Sequence, residues 1–159
     1  VDLDAVSAEF TTNYLSYVHL TTALLPSLQK QSSPTEIIFV TSGLALTPIT
    51  RCPNYCASKA AAHHLILTLR EQLKGSNVKI VELLPPAVQT ELHDEKHQPD
   101  IKNGRSIGMP LDEFTDKAWK GLQEGGTDIP IGMAEEPYKS WEKQRQEGFK
   151  AMVEQMRGS

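Results

Sequence analysis

"EIIFVTS" (36–42) decides the fold. It is a short apolar, β-rich run, suited to a buried parallel strand. Helices and further strands alternate around it. Asp4 can cap a helix over residues 5–29, with Phe10, Tyr14, Tyr17, Val18, Leu24, Leu25 and Leu28 on one stripe. A second helix spans 54–74; it buries Ala62, Leu65, Ile66, Leu69 and Leu73 and stops at Gly75. "VKIVELL" (78–84) is a second strand, ended by Pro85 and Pro86. The polar, turn-rich residues 91–110 predict a mobile loop with some helix. A third helix covers 111–124, with Phe114, Ala118 and Trp119 inward, and "TDIPIG" (127–132) is a third strand. The last helix covers 135–157, with Pro137 in its first turn and Tyr138, Trp141, Phe149, Met152, Val153 and Met156 on its apolar side. This order predicts one domain over 1–159: an α/β, doubly wound parallel sheet with right-handed crossovers. In such sheets the chemistry lies beyond the carboxyl ends of the strands.

Composition narrows the function. The chain has 159 residues and a net charge of −4, with no basic patch for nucleic acid. No apolar run reaches the length of a membrane span, and no signal-peptide pattern opens the chain. It starts at Val1, as a chain does that begins inside a longer protein or has been processed. Two cysteines, Cys52 and Cys56, are too few for a disulfide framework and read as reduced thiols in a cytoplasmic setting.

"PNYCASKAA" (53–61) holds the chemistry. Tyr55 and Lys59 stand four apart, hence on one helix face. A phenol titrates near pH 10, and a neighbouring ammonium stabilises its anion. Tyr55 could then exchange a proton with a carbonyl or alcohol oxygen. Ala57, Ala60 and Ala61 leave room for close approach. Ser42, at the end of the first strand, could hydrogen-bond the same oxygen. The bland alternative is a packed ring beside a solvated ammonium.

The wider pattern raises the chemical reading. "YCASK" resembles the Tyr-x-x-x-Lys motif of the short-chain dehydrogenase/reductase family. "IIFVTSG" resembles the strand leading to that family's catalytic serine, at the matching thirteen-residue separation from Tyr55. "TTNYLSYVHLTTALLP" is similar to its asparagine-bearing helix, and "VELLPPAVQTEL" to its Pro-Gly-x-x-x-Thr segment. These four segments run over roughly residues 10–92. "YCASKAAAHHLILTLREQLKG" with "PPAVQTEL" resembles the DltE-like branch. The resemblance implies an NAD(P)-dependent oxidoreductase interconverting a small-molecule carbonyl and an alcohol. Tyr55 would be the acid/base. Lys59 would lower the phenol's pKa and bind the nicotinamide ribose. Ser42 would polarise the substrate oxygen, and Asn13 would hold a water joining Lys59 to solvent. Pro85, Pro86, Val88 and Thr90 would line the nicotinamide side, with Pro86 replacing the usual glycine. Residues 91–110 would be the substrate loop.

An absence qualifies this picture. No glycine precedes Gly43, so the family's glycine-rich pyrophosphate turn has no counterpart. The expectation is a C-terminal part of such an enzyme: a partial Rossmann-like fold lacking its N-terminal dinucleotide-binding half. It would bind NAD or NADP weakly or not at all. The alternative is a non-catalytic remnant acting as an interaction or structural module. Its outer sheet edge would be bare, and a homodimer is expected through helices 5–29 and 54–74, as the family commonly forms.

Competing motifs are weaker. "HDEKH" puts His93 and His97 four apart, but Asp94 stands where a zinc-protease pattern needs Glu, so no metal is expected. "CPNYC" has the spacing of half a zinc site and no second pair. Ser42 with His63 or His64 as base would suggest a serine hydrolase, but the glycine preceding the nucleophile is missing.

Overall fold

The computed structural model describes residues 2–158. Three parallel strands, β1 (Thr35–Val40), β2 (Val78–Leu84) and β3 (Asp128–Pro130), form one sheet in the order β1-β2-β3. Val40 pairs with Leu83 and Leu84 with Pro130, so the carboxyl ends of all three strands reach one rim. β2 is central and buried at every position but Lys79, as a near-continuous apolar run in a parallel sheet should be.

Residues 3–29 form one helical run in three pieces: α1 (Leu3–Phe10), a π-helical turn (Thr11–Leu15) and α2 (Ser16–Gln29). The cap is Asp2, not Asp4; its Oδ1 accepts the backbone N–H groups of Asp4 and Ala5 at 2.9 and 3.2 Å. Asp4 is already inside the first turn, where a side chain cannot cap. α3 (Pro53–Gln72) begins with proline, which suits a first helical position, and Gly75 turns the chain after it at φ 86°. α4 (Leu111–Gln123) joins β2 to β3. The expected last helix is broken into α5 (Glu135–Pro137), a π-helical turn (Tyr138–Glu142) and α6 (Lys143–Gly158).

The pleat of β2 sorts the core. Val78 and Ile80 pack on one face with Phe39, Ile66 and Leu69, joined by Tyr17, Leu25 and Leu28 from α2. Val81 and Leu83 face the other way, against Phe114, Ala118 and Leu122 of α4. The two crossovers step the same way across the sheet but pass over opposite faces. They therefore have opposite hands, and the right-handed expectation holds for at most one.

Other expectations are corrected. The expected partial fold is corrected in this respect: the chain closes its own core, with helices on both sheet faces and Ala62, Ile66, Val81, Leu84 and Ala134 fully buried. Trp119 and Leu24 point to solvent, 61% and 54% exposed, because they sit one position off their helices' buried stripes. Of the expected apolar side of the last helix, Tyr138, Phe149 and Val153 are half-buried while Trp141, Met152 and Met156 are exposed, and the buried positions of the segment are the polar Glu142 and Gln146. Residues 91–110 fold back on themselves through two short turns, Glu91–His93 and Gly104–Ser106. Arg105 grips Asp94 with two prongs, each 2.7 Å. Gly104 lies so close to His93 that a Cβ would sit 1.6 Å from its carbonyl oxygen. β1 stands at a sheet edge, and Ile38 and Val40 on its α4-facing side are each 45% exposed. Among the described residues no helix is long and apolar enough to cross a membrane.

Candidate active site

The site is built at the carboxyl end of β1. There the strand gives way to a short turn, Gly43–Ala45, and Ser42 caps it by accepting the Leu44 N–H at 3.1 Å. The Gly43 N–H donates to the Pro85 carbonyl at 2.8 Å, tying this turn to the end of β2. Ser42 is buried, and its hydroxyl lies near enough to the phenol of Tyr55, in the first turn of α3, to influence its ionisation. Burial pushes the Tyr55 phenol above its ordinary value of 10.0, and the Ser42 hydroxyl pulls it partly back.

Lys59 lies one turn further along α3 and is only 8% exposed. Its Nζ is 5.7 Å from the Tyr55 ring centre and 5.8 Å from that of Tyr17. It donates to the Val40 carbonyl at 3.0 Å, an acceptor it shares with the Tyr17 hydroxyl at 2.6 Å. Desolvation lowers the Lys59 pKa, and the charge of Glu82 opposes that fall.

Asn13 sits inside the π-helical turn, a local widening that often marks functional positions. Its Nδ2 donates to Ser58 Oγ at 3.1 Å, and Ser58 Oγ donates to the Tyr55 carbonyl at 2.8 Å. The four residues named from sequence thus converge: Ser42 lies near enough to influence the Tyr55 phenol, Lys59 flanks Tyr55, and Asn13 reaches α3 through Ser58.

Pro85, Pro86, Val88 and Thr90 extend the same rim. Val88 forms a parallel bridge with Met109 that uses the Ala87 carbonyl and the Gln89 N–H, each at 2.9 Å. Val88's own N–H and C=O point away from that bridge. Gly132 is within contact distance of Pro86: an added Cβ would lie 3.2 Å from the proline ring. The Thr90 hydroxyl accepts the Leu92 N–H and borders a cavity of about 290 Å³ with Gln89, Glu91 and Arg105.

A buried polar cluster adjoins the site. Glu82, fully buried in the middle of β2, accepts Thr41 Oγ1–H at 2.6 Å and lies 2.7 Å from His63 Nδ1. His63 Nε2 lies 2.9 Å from Glu142, which also accepts from Arg145 and Gln146. Burial alone would lower His63, but Glu142 and Glu82 outweigh it and raise the imidazole to about 9. Burial alone would raise Glu142, but the hydrogen bonds from His63 and Arg145 hold it at about 2. Each His63 nitrogen faces a carboxylate, and Arg145 stands 2.9 Å from His63 Nε2 and 3.2 Å from His64 Nε2. Among the described residues no hydrogen bond joins Ser42 to either imidazole, so the hydrolase arrangement is not assembled. His93 ends a short turn and contacts Gln98 rather than sharing a helix face with His97. Cys52 and Cys56 are free thiols.

Sequence reasoning missed Glu82 and Glu142. The available signal was a lone acidic residue inside the apolar run "VKIVELL", which a buried strand tolerates only with partners.

Comparison with known proteins extends the likeness. The profile of the family described as short chain dehydrogenase matches residues 1–100. The uncharacterized oxidoreductase DltE of Bacillus subtilis (strain 168) is 38% identical over 122 residues, covering 76% of this chain and 47% of that protein. The 1-deoxy-11-beta-hydroxypentalenate dehydrogenase of Streptomyces avermitilis is 30% identical over 122 residues, covering 77% of this chain and 45% of that protein. The chain thus spans about half the length of these relatives. A short chain dehydrogenase from Burkholderia cenocepacia J2315, solved in complex with NADP, superposes with TM-score 0.73 and 26% identity over 91% of this chain and 57% of that one. This coverage corrects the expectation of a likeness limited to residues 10–92 of a C-terminal part, and it lends nothing to the non-catalytic remnant: nearly the whole chain takes the family's arrangement. The chain belongs to the short chain dehydrogenase family.

Proposed function

We propose that the chain acts in an NAD(P)-dependent oxidoreductase that interconverts a small-molecule carbonyl and its alcohol. The observation that carries this reading is the buried Lys59 ammonium 5.7 Å from the Tyr55 ring centre and hydrogen-bonded to the strand end that presents the buried Ser42. In reduction, the substrate oxygen would accept hydrogen bonds from Ser42 and Tyr55. Tyr55 would hand over its proton as negative charge grows on that oxygen. A phenol raised by burial is protonated at neutral pH, the form a proton donor needs. Asn13, through Ser58, would steady the first turn of α3 that carries Tyr55.

The residues present fit a nicotinamide cofactor. Val40 takes one of three ammonium hydrogens of Lys59, which leaves donors for ribose hydroxyls. Val88 has main-chain groups turned away from its bridge and suited to a carboxamide, and the Thr90 hydroxyl retains its proton for an anionic oxygen. When bound, the nicotinamide would supply or accept the hydride. Among the described residues no glycine-rich turn leads from a strand into an α-helix, so affinity would rest on these nicotinamide-side contacts and be weak. We place the substrate against residues 91–110, whose base is closed by the Val88–Met109 bridge. α2 and α3 share one sheet face, and a groove between them is lined by Val18, Leu25, Pro26, Leu65 and Leu69. A second copy would pack there as a homodimer, in a cytoplasmic setting that keeps both thiols reduced.

Calorimetric titration with NADH and NADPH tests the cofactor assignment. Binding of either is expected to weaken about tenfold or more in Lys59→Met, the size of a lost charge-assisted hydrogen bond. Unchanged affinity in the variant would remove Lys59 from the cofactor site.

A further inference from the structure

We propose that Glu82 is the positioning residue of this site: its carboxylate fixes Thr41, and with it the strand end presenting Ser42, and gives the buried Lys59 ammonium its counter-charge. The inference rests on the oxidoreductase reading above and adds to it a part played from inside the sheet.

Glu82 occupies a costly place. It is fully buried, between Ile80 and Leu84 on the strand face that meets α3. A carboxylate there is tolerated only if charge and hydrogen bonds compensate for lost water. One oxygen accepts Thr41 Oγ1–H at 2.6 Å; the other faces His63 Nδ1 at 2.7 Å. Thr41 immediately precedes Ser42, and its own N–H donates to the Leu83 carbonyl at 2.9 Å. The last residue before Ser42 is thus held to β2 through backbone and side chain together. Lys59 and Tyr17 both hydrogen-bond the carbonyl of Val40, the residue before the Thr41 that Glu82 holds, and from there the Glu82 charge supports the charged form of Lys59 and disfavours ionisation of Tyr17.

Glu82 is itself held from behind. His63 lies between it and Glu142 at 2.7 and 2.9 Å, and Arg145 and Gln146 of α6 also donate to Glu142. With both imidazole nitrogens facing carboxylates, His63 carries both protons, so charges alternate along Glu82, His63, Glu142 and Arg145. The 2.9 Å approach of Arg145 to His63 is then a contact between two donors converging on Glu142, and His64 meets the same guanidinium. Among the described residues, no buried side-chain nitrogen or oxygen lacks a partner. The chain of charges ties α6 to the floor of the site and leaves Glu82 no other orientation that satisfies both oxygens.

The test is spectroscopic and needs no turnover. The chain, labelled with 13C at lysine Cε, is titrated by NMR, with Lys59 assigned by comparison with Lys59→Arg. In Glu82→Gln, which keeps an acceptor for Thr41 but loses the charge, the Lys59 midpoint is expected to fall by about 1 pH unit or more. Glu82→Asp, which keeps the charge, should recover part of that fall. Thr41→Val should leave Lys59 unmoved and speed hydrogen exchange at the Leu44 N–H that Ser42 caps. An unmoved Lys59 midpoint in folded Glu82→Gln would overturn the proposal. If Glu82→Gln does not fold, 15N-histidine spectra of the unmodified chain decide. Both His63 nitrogens should be protonated at neutral pH, and one unprotonated nitrogen would overturn the alternating-charge clasp. A Lys59 shift in Glu82→Gln with unaltered turnover in Tyr55→Phe would keep the electrostatic role and discard the oxidoreductase reading.

Discussion

The buried imidazole makes stability depend on pH in a direction that can be worked out. His63 is 2% exposed and its pKa is raised from 6.5 to about 9 by Glu142 and Glu82 against the pull of desolvation. At about 1.4 kcal/mol per pH unit, that difference corresponds to about 3 kcal/mol of folding free energy, shared with the carboxylates rather than added to theirs. The folded pKa lies above the unfolded one. The contribution is therefore complete below 6.5 and is lost as pH rises through about 9. Urea unfolding followed by circular dichroism from pH 6 to 10 would measure it, with His63→Gln as reference, since the variant lacks only this titration. The gap between the two proteins should shrink by about 3 kcal/mol across that range. A gap that stays constant from pH 6 to 10 would show that His63 is neutral in the fold and that the clasp argument fails.

Three further outcomes are expected. Arg70→Met should cost about 3 kcal/mol, because Arg70 pairs with the buried Asp128 at 2.9 Å and also donates to the Ile80 and Thr127 carbonyls; chemical denaturation checks this. Gly104→Ala should destabilise by about 1–3 kcal/mol and free the amides of residues 104–107 in hydrogen exchange, since no Cβ fits against the His93 carbonyl. With the Tyr55 phenol held above 10.0, carbonyl reduction should be flat through neutral pH while alcohol oxidation climbs with alkalinity; pH–rate profiles in both directions read this.

Much of the site was legible because its signals are local. The four-residue step from Tyr55 to Lys59 needs only a helix, and the chain bears one from Pro53 to Gln72. Ser42 follows a β-rich run, so its place at a strand end required no tertiary knowledge. β2 was readable at both ends, because Pro85 and the turn at Gly75 bracket it. The features that could not be foreseen depend on distant partners. Asn13 was named, but not the π-helical turn that holds it or its partner Ser58, 45 residues away. Glu142 faces inward only because His63, 79 residues earlier, awaits it. The face of α4 was misjudged at Trp119 because the stripe seen by the sheet is narrower than the helix's apolar content. The extent of the family likeness was misjudged for another reason: the motifs cluster between residues 10 and 92, whereas backbone likeness persists through helices that carry no motif.

The most direct test of the proposed chemistry is turnover with and without the phenol. The chain is mixed with NADPH or NADH and a panel of small ketones and aldehydes, and cofactor oxidation is followed by absorbance, beside Tyr55→Phe shown to be folded by circular dichroism. The account predicts reduction of at least one carbonyl by the unmodified chain, falling about 100-fold or more in Tyr55→Phe. Turnover by Tyr55→Phe equal to that of the unmodified chain, or no reduction of any carbonyl at saturating cofactor, would contradict it.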